Sequence, residues 1–134
     1  MAKVSRSTLI KKLDKAFSRY IRLRNCDEYG RAFCFTCGDQ RHWKEVDAGH
    51  FQTRSKFSTR WDEKNVQFQC KKCNMTNGGQ QYIFGQKLDE VYGAGTADEI
   101  VRRSNQTFIK HTSLELIEIT NHYNKLSREL EQLH

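Results

Sequence analysis

The chain has 134 residues, 37% hydrophobic and 29% charged, enough for one domain with a modest core, in the size range where a structural metal offsets limited apolar burial. Lys plus Arg number 23 against 16 Asp plus Glu, and the resulting +7 charge favours a polyanionic partner, nucleic acid over membrane. No apolar run approaches the roughly 20 residues that span a bilayer, and Met-Ala-Lys-Val-Ser-Arg lacks the apolar segment of a secretion signal, so a reducing cytoplasm is the expected setting.

Residues 7–24 are predicted as a basic N-terminal helix. Leu9, Leu13, Phe17, Tyr20 and Ile21 recur at helical spacing on one face. Lys11, Lys12, Lys15, Arg19, Arg22 and Arg24 occupy the other, a face that either meets phosphate or is simply solvated. Residues 25–79 hold the paired cysteines and read as short strands and turns, with Gly30, Gly38, Gly49, Gly78 and Gly79 supplying permissive backbone. Residues 43–51 have the β-branched and aromatic character of a strand, and residues 65–69 alternate polar and apolar positions like a second one. A helix is expected to begin near Cys73 or Asn74, and Gly78-Gly79 keeps it short.

Residues 80–134 read as a helical tail. A helix over 80–91 ends at the turn Tyr92-Gly93-Ala94-Gly95. Thr96-Ala97-Asp98-Glu99 then has the spacing of a capping box, and Thr112-Ser113-Leu114-Glu115 repeats it before the strongest helix of the chain. In that helix Leu116, Ile119, Tyr123, Leu126, Leu130 and Leu133 alternate at three and four residues, a heptad seam that either packs within the chain or pairs two chains.

Cys34/Cys37 and Cys70/Cys73 form two Cys-x-x-Cys pairs, which in a reducing compartment are metal ligands, not disulfides. Four thiolates complete the tetrahedral shell of one structural Zn²⁺ and leave no open position, so the chemistry must lie elsewhere. The 32 residues between Cys37 and Cys70 exceed the roughly 15–20 of a simple double knuckle. That insertion contains Asp47-Ala48-Gly49-His50, and Asn74 directly follows the last cysteine. Two strands followed by a helix at Asn74 make a ββα unit with the metal at its base. The expected fold is therefore α+β, a single domain over 1–134 with a zinc-stapled core and flanking helices. Cys26 lies outside the paired spacing and is assigned to packing, as are Trp43 and Trp61; His42, His111, His122 and His134 are left structural.

With its residues in this order the sequence resembles the ββα-metal, or HNH, nucleases of the His-Me finger type, and more narrowly the phage lambda NinG (Rap) recombination-nuclease family. The matching stretch runs from Cys34-x-x-Cys37 through Trp43, Asp47-Ala48-Gly49-His50, Phe51, Arg60, Glu63 and Asn65 to Cys70-x-x-Cys73-Asn74. Weaker similarity extends over the preceding helix and the tail. The resemblance implies His50 as general base, Asn65 as the polar residue bracing the hairpin, Asn74 as a metal-binding residue opening the helix, and Asp47 as the acidic member of the motif. Residues three apart on an ideal strand face opposite sides, so Asp47 either binds metal directly, redirected by a bulge at Gly49, binds it through water, or orients the hairpin. The resemblance also implies a phage-encoded endonuclease in the bacterial host cytoplasm, acting on Holliday junctions or displacement loops. A four-way junction needs two coordinated cuts, which makes a homodimer the natural form. The long basic N-terminal extension of the lambda protein is not expected here.

The residue types suit phosphodiester hydrolysis independently of family. Neutral imidazole can take a proton from water near neutral pH. Mg²⁺ or Mn²⁺ prefers oxygen ligands such as Asn74 Oδ1 and the Asp47 carboxylate. Arg60, Arg54, Lys56, Lys71 and Lys72 are the candidate phosphate contacts, Arg60 foremost because it matches the family pattern. The rival expectations are a non-catalytic zinc module that binds DNA, and an HNH nuclease acting on ordinary duplex DNA or RNA.

Overall fold

The structure, a computed structural model that describes residues 4–108 and 110–133, is a mixed α+β chain in which two small antiparallel sheets are flanked by helices. His134 lies outside the described residues. Helix α1 (Arg6–Leu23) leads into the hairpin of β1 (Arg31–Phe33) and β2 (Gln40–His42). A 3-10 turn over Trp43–Glu45 precedes β3 (Val46–His50), and the one-turn helix α2 (Phe57–Arg60) interrupts the return to β4 (Val66–Cys70). A π-type turn over Lys72–Thr76 then gives way to α3 (Gln81–Tyr92), α4 (Thr96–Ser104) and α5 (Ser113–Glu131). No helix among the described residues is long and apolar enough to cross a membrane.

The apolar stripe of α1 forms one wall of the main core: Leu9, Leu13, Ala16, Phe17 and Ile21 are buried together with Val66, Leu116 and Tyr123. Helix α5 is the opposite wall. Its start is fixed by a complete capping box, in which Thr112 Oγ1 accepts from the Glu115 N–H and the Glu115 carboxylate accepts from the Thr112 N–H. The two helices run parallel, since Arg6 donates to the His111 carbonyl at one end and Arg19 pairs with Glu131 at the other. The heptad seam is thereby filled from within the chain. Leu116 and Tyr123 are buried on α1, Ile119 and Leu126 are packed beside them, and only Leu133 at the seam's end is strongly exposed, at 73%. Of the two readings of that seam, packing within the chain is the one seen: Leu116, Ile119, Tyr123 and Leu126 already lie against α1.

Other expectations shift in detail. The strand predicted over 43–51 starts later, because the His42 ring accepts from the Lys44 N–H and nucleates the 3-10 turn first. The alternation of β4 does not mark an exposed face: all five of its residues are buried. Gln67 hydrogen-bonds Arg24, the Lys64 carbonyl and Tyr92, while Gln69 donates to Thr36 and the Gly79 carbonyl, so these amides are held inside. The Thr96 capping box does not form. Gly95 caps α4 instead, at φ +92°, and Thr96 donates its hydroxyl back to the Gly93 carbonyl. Phe84, Leu88 and Ile100 of the α3–α4 pair form a second apolar cluster with Phe35 and Phe51, seating these helices against both the cysteine loops and the end of β3.

Candidate active site and metal centre

Cys34 and Cys37 lie in the β1–β2 turn, Cys70 ends β4, and Cys73 sits in the π-type turn. Their four Sγ atoms lie within 4.8 Å of one another. A tetrahedral zinc with Zn–S near 2.3 Å requires S···S of about 3.8 Å, and the Cys37–Cys70 separation is 3.7 Å. The Cys34 thiol is held at about 6: burial would raise it, but hydrogen bonds from the Thr36 side chain and from the Cys70, Cys37 and Thr36 backbone lower it further. Burial and the neighbouring thiols instead push Cys37 up to about 12 and raise Cys73, so the spacing of the four sulfurs is what could hold a zinc ion. Cys26 stands apart, donating to the Arg22 carbonyl beside Ala32, Val46 and Phe68, and burial pushes its thiol up to about 11.

Directly beyond the cysteines, α1, β3, the loop after β3 and the π-type turn enclose a cleft of about 690 Å³. Asp47, His50 and Asn74 all line it, together with Arg54 and Lys71. The β3–β4 ladder runs without interruption from Val46↔Cys70 to His50↔Val66, so the bulge considered at Gly49 is absent. Both strand faces contribute instead, because β3 is bonded only on its β4 side and the cleft lies along its other edge. Gly49 has a different reason: a Cβ there would stand 2.0 Å from Gln69 Oε1, so the buried amide of Gln69 requires the bare backbone.

Asp47 and Asn74 are joined side chain to side chain. Asn74 Nδ2 donates to Asp47 Oδ2 at 3.0 Å, and Lys71 Nζ donates to Asp47 Oδ1 at 2.8 Å. A carboxylate only accepts, which turns the amide nitrogen toward it and keeps Asn74 Oδ1 as an oxygen ligand. Among the described residues, the cysteines are the sole group of three or more His, Cys, Asp or Glu side chains arranged to hold a metal; with Asp14 bonded to Arg60 and Trp61, the cleft offers a hard cation the Asp47 carboxylate and the Asn74 amide oxygen.

His50 is anchored from behind. Its Nε2 lies 3.0 Å from the Arg60 carbonyl, and since a carbonyl only accepts, Nε2 carries the proton and Nδ1 keeps the lone pair. Burial, the largest influence, lowers its pKa below the usual 6.5; Arg54 adds to this, while the Arg60 and Ala48 carbonyls and Asp14 oppose it. Asn65, with no exposed surface, ties the same loop shut. Its Nδ2 donates to the Gln52 and Thr59 carbonyls at 3.1 and 3.0 Å, and its Oδ1 accepts from the Gln52 N–H at 2.7 Å.

The predicted phosphate contacts separate. Arg54 and Lys71 line the cleft, Lys72 lines a neighbouring hollow beside the cysteines, and Lys56 reaches Asn105. Arg60 is not part of the cleft lining; its guanidinium is paired with Asp14 and donates to the Arg54 carbonyl. Reasoning from sequence put Arg22 on a basic helix face that could meet phosphate but missed that α1 walls the cleft, with Asp14 and Ser18 facing it beside Arg22. Arg22 donates to the Trp43 carbonyl and lies over the Trp43 ring; burial lowers its pKa and Asp47 opposes that. The spacing of Asp14, Ser18 and Arg22 at four residues along α1 was the available signal, since it puts all three on one helix face.

A family model described as Bacteriophage Lambda NinG protein matches residues 1–133. The chain is 34% identical over 98 residues to Protein ninG of Salmonella phage P22, covering 71% of this chain and 45% of that protein. It is 32% identical to Protein ninG of Escherichia phage 933W and 31% identical to that of Escherichia phage lambda, each over 104 residues, 75% of this chain and 48% of theirs. The chain spans about half the length of the curated relatives it matches. No solved structure matches.

Proposed function

The chain belongs to the NinG family of lambdoid phage proteins, and we propose that it is a metal-dependent DNA endonuclease of the HNH, or ββα-metal, type, hydrolysing phosphodiester bonds in branched recombination intermediates. The observation that carries this reading is the single cleft lined by Asp47, His50 and Asn74, with the His50 ring anchored through Nε2.

His50 accepts the proton of the attacking water at Nδ1, while the Arg60 carbonyl keeps Nε2 protonated and the ring in place. Asp47 and Asn74 would hold Mg²⁺ or Mn²⁺, which when bound stabilises charge on the scissile phosphate and the departing alkoxide. Arg54 and Lys71 bind flanking phosphate. The Cys₄ zinc pins the turn that carries Asn74 against β3. Branched DNA as substrate follows from the family resemblance, and the homodimer from the two cuts a four-way junction needs. The Lys71–Asp47 ion pair favours one rival, a zinc module that binds DNA without cutting, in which Asp47 serves only that pair.

Cleavage of a four-way junction, linear duplex, single strand and RNA, each with Mg²⁺, Mn²⁺ or EDTA, tests the proposal. His50→Ala is expected to abolish cutting with junction binding near wild type, because a general base acts mainly in the transition state. Asn74→Ala is expected to raise the Mg²⁺ requirement. Wild-type protein that binds junctions but cuts no substrate with either metal selects the non-catalytic module.

A further inference from the structure

We propose that Asp14 and Arg60 form a strut from α1 to the loop after β3 that positions His50 through the Arg60 carbonyl. Helix α2 is a single turn, so its last carbonyls have no partner inside the helix. Two consecutive ones are taken from outside, Thr59 by Asn65 and Arg60 by His50. The peptide unit carrying the Arg60 carbonyl lies between Arg60 and Trp61, and both side chains are tied to one carboxylate. Arg60 Nε and Nη2 donate to Asp14 Oδ1 and Oδ2 at 3.0 and 2.6 Å, and Trp61 Nε1 donates to Asp14 Oδ1 at 2.9 Å. Arg60 Nη1 closes the set on the Arg54 carbonyl at 2.9 Å, and the guanidinium lies over the Phe57 and Trp61 rings. The fork is thereby committed to holding the backbone and has little left for a phosphate.

Asp14 has a second mark. It lines the cleft of a chain with a +7 charge, where an acid opposes any polyanion that enters. Its three donors give the reason for its presence: α1, outside the strand pair, sets the height of the carbonyl on which the imidazole rests. Asp14 and Arg60 are positioning residues in this scheme and touch no substrate. The inference rests on His50 as general base for its kinetic consequence, but its structural half stands apart from that reading.

The test uses the full zinc-loaded chain with Asp14→Asn and Arg60→Lys. Asp14→Asn keeps the shape and removes a negative charge from the cleft, so junction binding should hold or tighten. Arg60→Lys keeps the charge but loses the fork. By NMR the His50 Nε2–H proton is expected to exchange slowly with water in the wild type and to become exchange-broadened in both variants. The cleavage rate at saturating junction should fall roughly 100-fold, the cost of misplacing a catalytic group by about 1 Å. Junction affinity should not weaken, and its salt slope should be unchanged. The strut is overturned if the Nε2–H stays protected in folded Asp14→Asn, or if Arg60→Lys weakens binding and flattens the salt dependence with turnover intact, the signature of a phosphate contact. If wild-type protein proves not to cut DNA, the nuclease reading fails and the Nε2–H resonance alone decides the strut.

Discussion

Asn65→Ala removes three hydrogen bonds at once from a side chain with no exposed surface. The Gln52 N–H, the Gln52 carbonyl and the Thr59 carbonyl all lose their Asn65 partner. A net contribution of about 0.5–1.5 kcal/mol for each, with the Thr59 carbonyl keeping the Asp62 N–H as a partner, gives a loss of roughly 2–4 kcal/mol. For a chain of this size that corresponds to about 10 °C in Tm. The measurement is equilibrium unfolding in urea with zinc held in excess, so that metal loss does not enter the difference. Asn65→Asp should be no milder, because it retains an acceptor for the Gln52 N–H but sets an oxygen against two carbonyls. The Asn65 clamp also holds the loop carrying the Arg60 carbonyl, so the proposed cleavage should fall even below the variant's melting temperature. A stability loss under about 0.5 kcal/mol in a variant with the wild-type denaturant slope would refute the reasoning, since the three bonds would then be replaceable by water.

The cysteine geometry predicts one zinc per chain by metal analysis, with Cys70→Ser lowering Tm and chelation unfolding the core; an intact, stable fold after complete zinc removal rejects it. The lowered His50 pKa predicts that cleavage rises with pH to a plateau, with its midpoint below 6.5 in single-turnover assays; a midpoint at or above 6.5 contradicts the burial argument. The same shift has a stability sign. Folded His50 binds a proton less readily than the unfolded chain, so its contribution is present above 6.5 and falls as pH drops through that value toward the folded pKa, a slope that His50→Ala should remove. Leu116→Ala, fully buried against α1, should cost roughly 2–5 kcal/mol independently of protein concentration, whereas Leu133→Lys at the exposed end should change stability by less than about 0.5 kcal/mol. A Leu116→Ala cost that varies with concentration would return the seam to an intermolecular role.

Local signals were read well where a short stretch of chain suffices to specify the outcome. The stripe of α1 and the Thr112–Glu115 box needed only helical period and capping chemistry, and both formed as expected. The Thr96 spacing matched the same template and failed, because Gly95 in the left-handed region supplied the helix start before Thr96 could cap it. The alternation over 65–69 predicted a strand and β4 formed there, but the pattern said nothing of burial. Nothing local announces the Arg24 and Tyr92 groups that meet Gln67 inside, or the Thr36 and Gly79 acceptors that take the Gln69 amide nitrogen while its Oε1 has no partner among the described residues.

By itself the sequence determined the residue types and spacings that chemistry demands: two thiol pairs able to share one metal, and an Asp, a His and an Asn placed between and after them. Such patterns survive in one dimension because ligand number and local backbone period are properties of short segments. Tertiary structure decided what those residues rest on. The Asp47–Asn74 bond, the His50 tautomer and the Asp14–Arg60 pair each join segments distant along the chain, and the α5 seam found a partner in α1. A side chain's burial and its hydrogen-bond partner depend on which surfaces meet, and that is settled only when helices and sheet pack together.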